Sequence, residues 1–166
     1  MLRMRNLVAA VLLCCSIAYA AEPKSYPDLS GNWALDPVNS TADPIYMQAS
    51  RIVITQSRTY LQFEFRSGQR LVAREYYTAD GKERPRYSTR LESASAKAIF
   101  QKGQLVITTR SALDNEGLQQ YTETDRWYVS PDGKTLTNKM SDGKLRVYQK
   151  KPPEPEPAVS GPDNDW

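Results

Sequence analysis

Between residues 29 and 150 apolar and polar side chains alternate in runs of about six residues, each ended by a turn signal, and this two-residue period restricts the chain to half-buried β-strands. Tyr60-Leu61-Gln62-Phe63-Glu64-Phe65-Arg66 is the clearest run. Successive side chains of a strand point to opposite faces, so Leu61, Phe63 and Phe65 share one face while Gln62, Glu64 and Arg66 share the other. Similar runs occupy 51–56, 69–77, 86–91, 96–102, 104–110, 118–129, 135–140 and 145–150. The connectors are Ser67-Gly68, Asp80-Gly81, Lys102-Gly103, Asn115-Glu116-Gly117, Pro131-Asp132-Gly133 and Asp142-Gly143. Such pairs supply the positive φ of tight hairpins, and strands joined that tightly are antiparallel neighbours.

The expected fold is therefore all-β: an antiparallel up-and-down meander that closes into a small barrel of 8–10 strands, closure being the way such a sheet loses its exposed edges. One helical turn or two is expected where Asp43 caps and Pro44 opens the stretch Ile45-Tyr46-Met47-Gln48. A barrel lying in a membrane needs an apolar face over about 9 to 11 residues of each strand. The run 118–129 has none, since one face reads Leu118, Gln120, Thr122, Thr124, Arg126, Tyr128 and the other Gln119, Tyr121, Glu123, Asp125, Trp127, Val129.

The ends of the chain differ in composition from its middle. Arg3 and Arg5, an apolar run over 7–18 and Ala18-Tyr19-Ala20 have the three parts of a secretory signal peptide, with cleavage expected after Ala20. The run is shorter than the roughly 20 apolar residues needed to span a bilayer. A lipid-anchored cysteine at Cys14 or Cys15 is the competing reading, but Leu12 and Leu13 stand where small residues are required. The expected division is a signal peptide at 1–20, a lead-in at 21–28, a barrel domain at 29–150 and a proline-rich, acidic, disordered tail at 151–166. The expected location is periplasmic or secreted. Both cysteines of the chain lie in the signal, so the domain has neither thiol nor disulfide and must be held by its core.

Charge argues against nucleic acid as a partner. Of 22 Lys and Arg, Arg3 and Arg5 leave with the signal, and 20 against 19 Asp and Glu gives +1. That field is too weak and too scattered for phosphate-backbone binding.

At Asp28-Leu29-Ser30-Gly31-Asn32-Trp33-Ala34-Leu35-Asp36-Pro37 the chain resembles the opening of exported bacterial lipocalin-like, calycin-type domains, which carry Gly-x-Trp at the start of the first strand. Ser130-Pro131-Asp132-Gly133-Lys134-Thr135-Leu136-Thr137 and Val147-Tyr148 look like the closing hairpins of the same group. The Thr-Asp-Tyr motif of lipocalins has only a partial echo in Thr124-Asp125-Arg126. The resemblance implies a barrel of eight strands, or ten as in fatty-acid-binding relatives, holding a small hydrophobic or aromatic molecule. It also implies that Gly31 and Trp33 form a structural signature with an arginine from the last strand stacked on the indole, for which Arg146 is the candidate. Against that stacking, Leu145 and Val147 have the better claim to the core, which would turn Arg146 outward.

Chemistry is bounded by what is missing. No histidine occurs in the chain, which removes Ser-His-Asp and Cys-His nucleophile systems and the common zinc sites. Asp114-Asn115-Glu116-Gly117 lacks calcium-loop spacing, there is no phosphate-cradling glycine loop, and no cofactor or metal is expected. Glu123 and Asp125 lie two apart, hence on one face with Tyr121 and Trp127. If that face is interior, both carboxylates must be hydrated, paired or bound to a ligand. Pairing with Arg74 or Arg90, or a bulge that turns them outward, is the plainer outcome. Tyr121, Glu123, Trp127, Tyr87 and Arg74 are the candidate ligand-binding residues, and no catalytic residue is assigned. Besides a ligand-binding barrel, the chain is compatible with an envelope domain that meets other proteins, or with a carboxylate-based isomerase or glycosidase.

Overall fold

The computed structural model describes residues 26–45, 48–86, 94–112 and 120–153, without the side chains of residues 112, 120 and 121. The expected signal peptide and most of the expected tail lie outside the described residues. Ten strands follow one another: β1 (Gly31–Leu35), β2 (Arg51–Ser57), β3 (Tyr60–Ser67), β4 (Arg70–Thr78), β5 (Asp80–Arg86), β6 (Ala94–Gln101), β7 (Gln104–Ala112), β8 (Gln120–Val129), β9 (Thr135–Lys139) and β10 (Leu145–Lys151). They form one antiparallel sheet in the order β4-β3-β2-β1-β10-β9-β8-β7-β6-β5, in which the first strand, β1, pairs the last, β10. The sheet curls into a nearly closed barrel, the upper end of the expected strand number. No helix occurs among the described residues: Asp43, Pro44 and Ile45 are irregular, and residues 46 and 47 of the expected helical turn lie outside the description.

Register fixes which side chains point inward. Trp33 faces Ile52, Ile52 faces Phe65, Ile54 faces Phe63, and Leu105 faces Trp127. These residues are all buried, together with Leu29, Leu61, Tyr77, Ile107, Leu136 and Tyr148. Each large apolar side chain removed from water in this way contributes about 1.5–3 kcal/mol. At Lys102-Gly103 both residues have positive φ (51° and 73°), which a two-residue turn between β6 and β7 requires.

One strand departs from the sequence reading. Asp80-Gly81 is not a hairpin turn but the start of β5, which runs to Arg86 and bulges between Asp80 and Glu83 against β6. The strand expected over 86–91 lies almost wholly outside the described residues. Its place is taken by Asp-Gly-Lys-Glu-Arg-Pro-Arg, a strand without apolar alternation that a period-two reading passes over. Its proline is tolerated because β5 is an edge strand. β4 and β5 are the two edges, and they approach each other without a shared ladder. Side chains span this seam instead: Arg86 of β5 donates to Glu75 of β4, and Glu75 also accepts from the Tyr77 hydroxyl at 2.6 Å. A small cleft of about 30 Å³ opens there between Tyr76, Lys82, Arg84 and Ala98.

The barrel has a sealed base. Leu29, fully buried, donates its N–H to Gln56 Oε1 at 3.0 Å, and Gln56 Nε2 donates back to the Pro27 carbonyl at 2.9 Å. Trp33 is also fully buried, and its indole N–H donates to the Leu29 carbonyl at 3.0 Å. Residues 26–30 are thus strapped under the barrel, and Tyr26 meets Phe100 on its far side at 4.9 Å between ring centroids. The cation over the Trp33 ring is Lys150, 5.1 Å from its centroid, not Arg146. The reason is register: Trp33 lies directly opposite Lys150, and Arg146 is a further four residues up β10. Gly31 has φ 153°, a region essentially closed to side chains, and a Cβ there would meet Trp33 Nε1 at 3.0 Å and Lys150 Cε at 3.2 Å. Gly31→Ala is accordingly expected to destabilise the domain by about 1–3 kcal/mol, read as a lower urea midpoint at unchanged slope.

Candidate functional site

Strand β8 carries the site because its inward face changes character along its length. Val129 and Trp127 belong to the apolar base, Trp127 being 2% exposed. Two residues further up the same face Asp125 is half-buried, and two further Glu123 is exposed. Their cross-strand partners confirm the direction, since Leu105, Ile107 and Thr109 of β7 stand opposite Trp127, Asp125 and Glu123. Leu105 and Ile107 are buried, whereas Thr109 is half-buried. Along this face exposure therefore falls from Glu123 through Asp125 to Trp127.

The floor at that level is aromatic. Phe63 meets the Trp127 ring edge-on at 5.2 Å and the Tyr77 ring edge-on at 5.6 Å, and Trp127 stacks on Tyr148 at 6.2 Å. Such offset and edge contacts fix the rings relative to one another. Beside the floor and above it the wall is polar. Asn138 of β9, fully buried, lies opposite both Trp127 and Arg146. Arg146 Nη1 donates to Asn138 Oδ1 at 2.9 Å, and Arg146 Nε donates to the Asp43 carbonyl at 2.5 Å. Arg146 therefore shares the inward face with Tyr148 and ties β10 to the segment crossing the upper end. Leu145 and Val147, the expected core residues, lie on the other face and hold that segment by backbone bonds to Asp36, Thr41 and Ala42.

Electrostatics follow from this placement. Burial raises the pKa of Asp125 above the ordinary carboxylate value; the Arg146 charge opposes the shift and the Glu123 charge reinforces it, while Asn138 and Arg86 oppose it less strongly. Burial also pushes the Tyr148 hydroxyl well up, so it stays protonated. Two buried donors, Trp127 Nε1 and Asn138 Nδ2, make no hydrogen bond among the described residues. Asn138 lies near enough to Asp125 to favour its charged form slightly, without the geometry of a hydrogen bond.

Of the residues singled out in the sequence, Glu123 and Trp127 come together on the inner wall with Asp125 between them. Tyr121 continues the same strand face opposite Ser111, but its side chain lies outside the description, as do Tyr87 and Arg90. Arg74 stands apart: it is on the outer face, where Glu64 accepts from both Arg74 (2.6 Å) and Arg66 (2.5 Å). It alternates with Ala73 and Glu75, and these two face Phe65 and Phe63 inside the barrel. Asn138, Tyr148, Glu75 and Arg86 were not singled out. The signal for Asn138 is its spacing of two from Leu136, which places it on the core face of β9; Glu75 and Arg86 gave none, because only the seam brings them together.

No protein-family model matches this chain, and no curated protein matches it.

A buried acid whose pKa is raised on folding binds its proton more tightly in the folded state, so its ionisation costs stability as pH rises from the unfolded value, ~3.9, through the folded one. Asp125→Asn removes that cost. It is expected to raise the urea midpoint relative to the parent protein at about pH 7 and to leave it nearly unchanged at roughly pH 3, where the aspartate is protonated in both states.

Proposed function

We propose that this protein is an exported, lipocalin-like barrel that binds a small hydrophobic or aromatic molecule in its interior without transforming it. The observation that carries this reading is the break on β8, where exposed and half-buried carboxylates give way to a rigid aromatic floor between Asp125 and Trp127. Binding sites for small molecules have this form: an apolar surface that removes most of the ligand from water, with a few fixed polar groups that orient it. The sealed base supports it as well, since residues 26–30 and the Trp33 plug leave the upper end as the side from which the interior is entered. Export is supported by the three-part leader in the first 20 residues. The lipocalin-like reading is supported by Gly31-x-Trp33 at the start of β1, by a cation over that indole and by the up-and-down order of the strands.

Native mass spectrometry of protein isolated from its source is expected to show a bound small molecule released on unfolding. Thr109→Trp, which fills the upper interior from β7, is expected to abolish uptake of that molecule and of a hydrophobic fluorescent probe, with the β-sheet circular dichroism retained. A folded protein that carries nothing, and whose probe uptake is the same with and without Thr109→Trp, refutes the proposal.

A further inference from the structure

Resting on the reading of the interior as a binding site, we infer that the inner end of the ligand carries an uncharged hydrogen-bond acceptor, a ketone, ester or amide carbonyl oxygen, received by Trp127 Nε1–H and Asn138 Nδ2–H. The two donors belong to directly paired residues of β8 and β9, so their side chains rise side by side from the same patch of the inner wall. Trp127 is 2% exposed and Asn138 is fully buried, and neither donor has an acceptor among the described residues. A buried polar group left in that state is costly, and native interiors rarely keep one without a use. The orientation of the Asn138 amide is set independently: its Oδ1 accepts from Arg146 at 2.9 Å, which leaves the NH2 group on the side of Asp125 but without an acceptor in hydrogen-bond geometry.

The charges around the donors decide the class of acceptor. Glu75, Asp125 and Glu123 share the inner wall with two arginines. Arg86 is taken up by Glu75, and Arg146 already serves Asn138, the Asp43 carbonyl and the field of Asp125. Among the described residues the five, all ionised, sum to one negative charge and both arginines already have partners, which favours an uncharged acceptor over a carboxylate. A carbonyl brings the same acceptor geometry without the charge. Indole and amide N–H groups, being uncharged donors, match it.

The test uses the full chain and three probes of matched shape: acetylnaphthalene, ethylnaphthalene and naphthoate, with the corresponding benzene series for size, each measured by equilibrium dialysis. The ketone is expected to bind at least about tenfold more tightly than the hydrocarbon and the carboxylate, because a site built for an acceptor rejects the analogue that lacks it. Trp127→Phe is expected to bring the ratio of ketone to hydrocarbon affinity down to about one, whatever the reshaped floor does to both affinities together; a Trp127→Phe protein without β-sheet circular dichroism is replaced by Asn138→Leu, for which the same loss of the ratio is expected. Equal binding of ketone and hydrocarbon overturns the inference, and so does tightest binding of the carboxylate; both leave the binding site itself intact. Binding of none of the probes by folded protein removes the site and the inference together.

Discussion

The whole architecture depends on the packing of Trp33 at the base. The indole fills the end of the barrel where β1, β2 and β10 meet, its N–H is held by the Leu29 carbonyl, and Lys150 covers its face. Three otherwise separate pieces, the strap at 26–30, the first strand and the last, are fastened at one side chain. Gly31 is there because the strap must turn sharply into β1 directly against that ring. With the first and last strands locked together, the remaining strands have only to follow one another round.

A barrel closed at one end by aromatic packing has a built-in polarity of environment. Phe63, Trp127, Tyr77 and Tyr148 occupy the dry half with Asn138 beside Trp127, and Asp125, Glu123 and Arg146 stand higher up on β8 and β10. The β8 sequence Glu-Thr-Asp-Arg-Trp writes this transition in five residues. Its inward members go from exposed carboxylate to half-buried carboxylate to buried indole, while Thr124 and Arg126 face outward, where the Thr124 hydroxyl meets that of Thr108 at 3.3 Å. Raised proton affinity at Asp125 is a consequence of standing at the boundary.

The legible part of the sequence was whatever the two-residue period controls. Leu61, Phe63 and Phe65 fall inside as their spacing required, and Glu123 shares a face with Trp127 for the same reason. What the period does not control is which residue of a neighbouring strand arrives opposite. That is why a cation over Trp33 was legible but its identity was not: Arg146, Tyr148 and Lys150 share one face of β10, and only the pairing with β1 selects Lys150. Arg74 was misplaced for a related reason, since its run offers apolar residues on both faces, Val72 and Tyr76 against Ala73 and Tyr77. β5 was hidden altogether, because an edge strand packed on one side by alanines needs no large apolar residues of its own.

The seam between β4 and β5 gives the wall a mechanical asymmetry. Prising apart any other adjacent pair of strands breaks a ladder of backbone hydrogen bonds, but parting these two breaks mainly the link between Arg86 and Glu75 and the packing of Tyr76 and Tyr77 beside β5 and β6. The amides on the facing edges of these two strands have no ladder partner. The circumference is thus closed along this one line by side chains alone, while backbone ladders join the other nine neighbouring pairs.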